Sequence, residues 1–190
     1  MKTLATAMTV VMLSATAALA ENFENTTFAV EATSGALDVT VDANADGLTN
    51  VEVGVTAGVV RLALGTDLLD ADTLTATAEY AVVMSVTDSL AAYGTAQVAY
   101  ATTTDFQDGD WSMNPSVGLE FQVTNAVAVY GEVGYSWDVS TDMDRLGGYV
   151  EFGVPFAVTS AVTLTPSVAR SFDTGTDNPT EARLVASLSF

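Results

Sequence analysis

The sequence predicts an all-β chain that forms a single antiparallel, up-and-down transmembrane β-barrel of about ten strands, with eight strands as the alternative. Three observations lead to this prediction. Apolar residues recur at every second position over long stretches, short turns alternate with longer acidic loops, and aromatic residues concentrate at strand ends. Period-two alternation is typical of a strand with one face against hydrocarbon and the other against a polar interior.

Residues 1–20 carry the features of a secretory signal peptide. Lys2 supplies a positive start, residues 4–13 form an apolar stretch, and the Ala-Leu-Ala sequence at 18–20 is a small-x-small cleavage pattern. The apolar stretch is too short for a transmembrane helix, which needs about 20 residues. We therefore expect export from the cytoplasm and cleavage before Glu21.

Residues 36–190 are predicted to form the barrel, and residues 21–35 an N-terminal segment that could belong to the first strand. If the C-terminal strand ends in the periplasm, counting back gives ten strands, at 36–42, 49–56, 58–65, 73–86, 90–103, 111–123, 126–138, 145–158, 161–172 and 180–190. A second assignment also gives ten, with a hairpin of 28–33 and 36–42 and one bulged strand over 49–65. In the eight-stranded alternative the early segments fold differently.

The predicted strands of the second half are long enough to cross a membrane. Those at 111–123, 126–138, 145–158 and 161–172 run for 12 to 14 residues, whereas a tilted membrane strand needs about 9–11 and a soluble sandwich favours about 5–6. Over 126–138, Val133, Tyr135 and Trp137 share one face, and Glu132 lies on the other. Strand length therefore favours a membrane barrel over a soluble sandwich.

Short turns and long loops alternate along the chain. The pattern Val-Thr-(Asp/Asn/Ser)-small-aliphatic occurs at 86–90, 123–127 and 158–162, with a looser copy at 55–59. Between these turns lie longer loops rich in aspartate, at 43–48, 66–72, 104–110, 139–144 and 173–179. Tight turns on one side and long polar loops on the other are typical of bacterial barrels.

Aromatic residues form two predicted belts. Trp111, Trp137, Tyr100 and Phe172 fall at the loop-side ends of strands, and Phe121, Phe156 and Phe190 fall near the turn-side ends. Membrane interfaces select aromatic side chains at both boundaries. A soluble sandwich has little reason to place them at both strand ends.

Composition excludes several classes of function. The chain has 24 acidic residues against five basic ones, for a formal net charge of −19. We expect no nucleic-acid partner, because nothing would neutralise phosphates. Cysteine is absent, which excludes a disulfide scaffold or a thiol enzyme. Histidine is also absent, which removes the commonest general base and metal ligand.

Together the cleavage pattern, the alternating strands, the short turns and the C-terminal sequence resemble the small outer-membrane β-barrel proteins of Gram-negative bacteria, in the broad OmpA-transmembrane-domain or porin-like superfamily. The resemblance covers essentially all of 36–190. It implies a location in the outer membrane, in contact with its lipid and lipopolysaccharide. In that family a C-terminal strand ending in Phe is read by the barrel-assembly machinery, which implies that role here for Leu184, Ala186, Leu188 and Phe190.

The same resemblance bears on catalysis. Outer-membrane proteases and lipid-modifying barrels of this superfamily rely on histidine with acid or serine partners. Because this chain has no histidine, we expect it not to be an enzyme.

The alternation also predicts which charged residues point into the barrel. If the apolar faces meet lipid, the inward set is Glu52, Arg61, Glu79, Glu120, Glu132, Glu151 and Arg183. One hypothesis is a salt-bridge network that plugs and rigidifies the barrel. The other is a narrow passive pore that prefers cations, because inward acids outnumber inward arginines and inward glycines at 118, 134 and 153 leave space.

One loop resembles a calcium site. Asp42, Asn44 and Asp46 supply oxygen ligands at the first, third and fifth positions, and Gly47 follows at the sixth. The closing glutamate comes one residue early, and the same residues are common in ordinary turns. Calcium is therefore a candidate cofactor, with turn formation as the alternative. The acidic loops together raise a second class of function, a surface binding module for divalent cations or an extracellular partner.

Overall fold

The computed structural model describes residues 26–44, 47–69, 73–103, 109–139, 146–173 and 180–190. The predicted signal peptide at 1–20 lies outside these residues and stays a prediction. Within the described part of the chain, no helix has the length and apolar character needed to cross a membrane.

The described residues form twelve strands. In chain order they are β1 (Thr26–Ser34), β2 (Leu37–Asn44), β3 (Gly47–Ala57), β4 (Val60–Asp67), β5 (Thr73–Ser85), β6 (Leu90–Thr103), β7 (Gly109–Thr124), β8 (Val127–Asp138), β9 (Leu146–Gly153), β10 (Phe156–Thr159), β11 (Val162–Asp173) and β12 (Thr180–Ser189).

These strands close into a single barrel with an up-and-down order, which confirms the predicted fold class. Strands β9 and β10 are two halves of one crossing, because both pair with β8 on one side and β11 on the other. The interruption falls at Val154 and Pro155, where proline cannot donate to the ladder. Pro155 still accepts a hydrogen bond from the Ala128 amide at 3.0 Å. The barrel therefore has eleven crossings.

An odd number of crossings makes the first and last strands run in the same direction. β1 accordingly pairs in parallel with β12, with Phe28 opposite Leu184 and Thr33 opposite Ser189. Bacterial single-chain barrels have even numbers of strands, closed by an antiparallel pair. The count is one more than the predicted ten, and the eight-stranded alternative is not found.

The extra strand arises because the structure combines the hairpin of one ten-strand assignment with the two separate strands of the other. Segments 28–33 and 36–42 pair as a hairpin, and 49–56 and 58–65 are separate strands. Gly35 and Gly58 begin the two tight turns with φ of 64° and 65°. Two-residue hairpins that match strand twist need a positive φ at this position, which glycine adopts without strain.

The repeated Val-Thr turns are confirmed, and their threonines explain why the pattern recurs. Thr87 Oγ1 accepts from the amide of Leu90 at 3.0 Å, and Thr124 Oγ1 accepts from the amide of Val127 at 3.1 Å. Thr159 Oγ1 accepts from the amide of Ala161 at 3.1 Å. A threonine hydroxyl that bonds backbone two or three residues on stabilises a turn.

The apolar side chains lie on the outside of the barrel. Leu62, Leu119 and Phe152 each expose more than half of their surface. The described residues contain no large fully buried side chain, and their buried apolar cluster is small. This arrangement inverts that of a soluble protein and is typical of a barrel whose outer face meets hydrocarbon.

Three predicted belt residues, Tyr100, Trp111 and Phe172, make aromatic contacts near the loop-side ends of the strands. The Tyr100 and Trp111 ring centroids are 4.7 Å apart. Tyr135 and Phe172 meet edge to face at 6.3 Å. Aromatic pairs in such geometries are favourable beyond the area they bury.

The predicted assembly residues lie on β12 beside β1. Leu184, Ala186 and Leu188 pair with alternate residues of β1, and the Phe190 amide donates to the Thr33 carbonyl at 3.0 Å. The Phe190 side chain is exposed. Its role as an assembly signal stays a prediction.

Candidate functional site in the barrel interior

The interior has two charged walls, each built on neighbouring strands. We call the first the arginine wall. It lies on β1 to β5 with β12 and faces a polar cavity of about 480 Å³, and its charged members are Glu31, Asp38, Asp42, Glu52, Arg61, Glu79 and Arg183.

Arg61 is the centre of the arginine wall. Its Nε donates to the two Asp38 oxygens at 3.0 and 3.2 Å, and its Nη2 lies 2.6 Å from Glu52 Oε1. Glu79 is directly opposite Arg61 on β5. The three ion-paired side chains expose only 15 to 21% of their surface. Gly54 allows this approach, because a side chain there would overlap Asp38 and Arg61.

A second set of contacts crosses the parallel seam between β12 and β1. Arg183 Nη2 lies 3.2 Å from Asp42 Oδ1 on β2, so this ion pair spans β1. On β1, Thr27 is opposite Arg183 and the small residue Ala29 is opposite Asp42, so the pair crosses β1 on a diagonal. Ser187 Oγ donates to Glu31 Oε2 at 3.0 Å across the same seam. These bonds tie the first and last strands together from the inside.

The calcium hypothesis loses one of its ligands to this wall. The Asp42 carboxylate is engaged by Arg183 and by Asn50 Nδ2, the latter at 3.5 Å. Asn44 ends β2, and Asp46 lies outside the described residues. Among the residues that the structure describes, no group of three or more Asp, Glu, His or Cys is placed to hold a metal. Calcium binding by this loop stays an untested prediction.

We call the second wall the tyrosine wall. It lies on β6 to β9 and consists of Tyr93, Glu120, Tyr130, Glu132, Tyr149 and Glu151. The Tyr130 hydroxyl donates to Glu151 Oε1 at 2.5 Å, and the Tyr149 hydroxyl donates to Glu132 Oε1. Glu132 and Glu151 are directly opposite each other in the β8–β9 ladder.

In the described strands β6 to β11, no arginine or lysine shares the inward positions of this wall. The one arginine there, Arg170, is exposed and lies on the same face of β11 as the outward Val168. The carboxylates of Glu132 and Glu151 are therefore held by neutral hydroxyl donors.

Each tyrosine of the second wall covers a glycine on the neighbouring strand. Tyr93 lies over Gly118, Tyr149 over Gly134 and Tyr130 over Gly153, and each pair is directly opposite in its ladder. A methyl group at any of these glycines would overlap the ring. The interpretation that these glycines leave open space is therefore wrong, because tyrosine rings fill it.

The structure groups the seven charged residues predicted to point inward. It brings Glu52, Arg61, Glu79 and Arg183 together around one cavity. Glu132 and Glu151 form a pair in the other wall, where Glu120 is opposite Tyr130. Whether they plug the barrel or line a passage stays a prediction.

Sequence reasoning missed two groups of interior residues. Glu31 and Asp38 alternate with apolar neighbours and could have been found by the same period-two pattern. Tyr130 and Tyr149 alternate onto the same face as Glu132 and Glu151, but only the register between strands shows that their hydroxyls meet these glutamates.

No protein-family model and no curated protein matches the chain. Among solved structures, the chain is similar to a loop L8 deletion mutant of OmpT, an outer membrane protein of Vibrio cholerae, with 15% identity and a TM-score of 0.45. That match covers 78% of this chain and 57% of the other. A second is outer-membrane expressed OmpT of Vibrio cholerae, at 16% identity and TM-score 0.42, covering 73% and 51%. The chain thus spans just over half the length of these barrels.

One prediction needs correction at this point. The chain was expected not to be an enzyme because it lacks histidine. The solved barrels similar to it carry the name OmpT, and the absence of one residue type carries no conclusion about activity. The exclusion of enzymatic activity is therefore withdrawn. The likeness is one of fold and assigns no activity to this chain.

Proposed function

We propose that the chain spans the outer membrane of a Gram-negative bacterium and provides a narrow, passive passage that prefers cations. The exterior supports the membrane location. Large apolar side chains from β3 to β11 leave about half of their surface uncovered. Soluble proteins rarely expose apolar patches larger than a few hundred Å².

The charge of the interior carries the proposal. At the inward positions of the described strands, the two walls hold eight carboxylates against the two guanidinium groups of Arg61 and Arg183. Fixed charges of one sign in a confined space raise the local concentration of the opposite ions. Rings of Asp and Glu select cations in pores by this means.

The distribution of interior contacts favours a passage over a complete plug. The ion pairs of Arg61 and Arg183 all lie within the arginine wall. The tyrosines of the opposite wall cover glycines on neighbouring strands. The cavity of about 480 Å³ beside Arg61 is polar and has room for several waters, each of which takes roughly 30 Å³.

Planar bilayers test this proposal. The purified protein should conduct, and in a salt gradient its reversal potential should have the sign of cation selectivity. The double variant Glu132→Gln plus Glu151→Gln should reduce that selectivity, whereas Asp88→Asn, in the exposed turn between β5 and β6, should not. An absence of conductance would leave only a structural role, and anion selectivity would refute the charge argument. Unchanged selectivity in the double variant would remove both glutamates from the pathway.

A further inference from the structure

We infer that Arg170 and the apolar groove beside it bind a phosphate-bearing lipid of the outer leaflet. The head group would contact the guanidinium of Arg170, and one acyl chain would lie in the groove. This inference rests on the membrane location in the proposed function and is independent of the passage through the barrel.

Arg170 is an unpaired cation on the face of the barrel that meets lipid. It is exposed, and it is directly opposite Val150, an outward residue of β9. The ion pairs among the described residues do not include it. On the outward face of the described strands it is the one basic side chain, in a chain with 24 acidic residues and five basic ones.

The position of Arg170 along its strand favours a lipid head group as its partner. It lies near the loop-side end of β11, which ends at Asp173. Two residues further on, the Phe172 ring meets Tyr135 edge to face at 6.3 Å, as expected of an interfacial belt. An arginine on the lipid face is costly at the bilayer midplane and tolerated near the interface, where its long side chain reaches the head groups. Its guanidinium binds phosphate through two parallel hydrogen bonds.

An apolar groove of about 630 Å³ lies on the outer face of β6 to β9 beside Arg170. Gly131 forms a gap in it, because Leu119 and Phe152, directly opposite on the two neighbouring strands, each expose more than half of their surface. A methyl group at Gly131 would meet no atom closer than 3.9 Å. Val150 lines the groove and is opposite Arg170, on a strand about 4.8 Å away. An acyl chain in the groove therefore brings the head group of the same lipid within reach of Arg170.

A second groove of similar volume provides a matched comparison within the same molecule. It also measures about 630 Å³, lies on the outer face of β3 to β7, and includes Leu62, Ala76 and Ala78 in its lining. The described outward positions of these strands carry no basic residue. Because the chain has a formal net charge of −19, its field should repel anionic lipids from such a surface. A preference for anionic lipid is therefore expected at the first groove and not at the second.

Quenching of tryptophan fluorescence by lipids with brominated acyl chains tests the inference on the folded protein in phosphatidylcholine vesicles. Trp111→Phe and Trp137→Phe remove the two native tryptophans. Phe152→Trp then places a reporter opposite Gly131, and Leu62→Trp places one in the second groove. At the first reporter, brominated phosphatidylglycerol should bind about fivefold more strongly than brominated phosphatidylcholine, because one basic residue near a lipid surface contributes about that factor. At the second it should bind no more strongly.

Three variants of the first reporter separate charge from shape. Arg170→Gln should remove the preference for phosphatidylglycerol, and Arg170→Lys should keep most of it. Gly131→Leu fills the groove and should lower the preference without changing the charge. Asp88→Asn, in the exposed turn between β5 and β6, is the control and should leave the preference unchanged.

Equal binding of the two lipids at the Phe152→Trp reporter would overturn the inference, and so would a preference that survives Arg170→Gln. An equal preference at both reporters would also overturn it, because the second groove has no arginine. The failures are distinguishable. Absence of quenching by either lipid at both reporters would refute the membrane location and the lipid site together, whereas quenching without lipid preference refutes only the lipid site.

Discussion

The two interior walls hold carboxylates in different ways. In the arginine wall Asp38 and Glu52 share an ion pair with Arg61, and Asp42 forms an ion pair with Arg183. In the tyrosine wall Glu132 and Glu151 accept hydrogen bonds from tyrosine hydroxyls and are not paired with any arginine of the described strands. The first arrangement fixes strands to one another, and in the proposed function the second is the part that attracts mobile cations. In the proposed function, stability and selectivity therefore depend on different parts of one ring.

Removing the central guanidinium should have the largest effect. Arg61→Met leaves Asp38 and Glu52 as close, partly buried carboxylates without a cation, so we expect the free energy of unfolding to fall by about 3 kcal/mol. Denaturant unfolding in lipid vesicles, followed by tryptophan fluorescence, measures this change. Asp88→Asn, in the exposed turn between β5 and β6, is the control and should change stability by less than about 0.5 kcal/mol.

Neutralising the acids should rescue the first variant. Adding Asp38→Asn and Glu52→Gln to Arg61→Met removes the uncompensated charges, so much of the lost stability should return. A triple variant no more stable than Arg61→Met would show that packing, and not charge, gives Arg61 its effect.

In the tyrosine wall, the stability of the protein should depend on the volume of the side chain added opposite a tyrosine ring. Gly134→Ala places a methyl group where the Tyr149 ring lies, and overpacking of this kind costs about 1–3 kcal/mol. Gly131→Ala is the matched control on the same strand, because its nearest neighbouring atom would be the Glu151 carbonyl oxygen at 3.9 Å. The same unfolding measurement compares the two. Equal stability of both variants would mean that the ring does not depend on the glycine.

The sequence predicts the class of fold well because alternation, turns and loops each report on the same architecture. It does not predict the number of crossings, because whether that number is odd or even depends on how the first and last strands pair when the barrel closes. Residues 28–33 look equally suited to an extension of the first strand or to a strand of their own. Only the pairing of β1 with both β2 and β12 decides between these.

The site is predictable in part for the same reason. Period-two alternation predicts that Glu132 and Arg61 share the polar face, but it carries no information about neighbours on other strands. The local sequence predicts Asp42 as a calcium ligand because residues 42–47 resemble the start of a calcium-binding loop. Its partner Arg183 is 141 residues away and is brought close only by the closure of the barrel.

The parallel seam is the feature on which both walls depend, since it closes the ring that holds them. Val30 is directly opposite Ala186 on β12 and Val41 on β2, so Val41 and Ala186 are separated by β1. Strands lie about 4.8 Å apart, which puts that second pair beyond the roughly 7 Å reach of a disulfide. The chain has no cysteine of its own to interfere.

Oxidative cross-linking of cysteine pairs in the membrane-embedded protein therefore tests the closure most directly. Val30→Cys with Ala186→Cys should form a cross-link, and Val41→Cys with Ala186→Cys should not. Efficient cross-linking of Val41→Cys to Ala186→Cys, with none for the first pair, would place β2 beside β12. That result would contradict the eleven-crossing barrel and the contacts between Arg183 and Asp42 that depend on it.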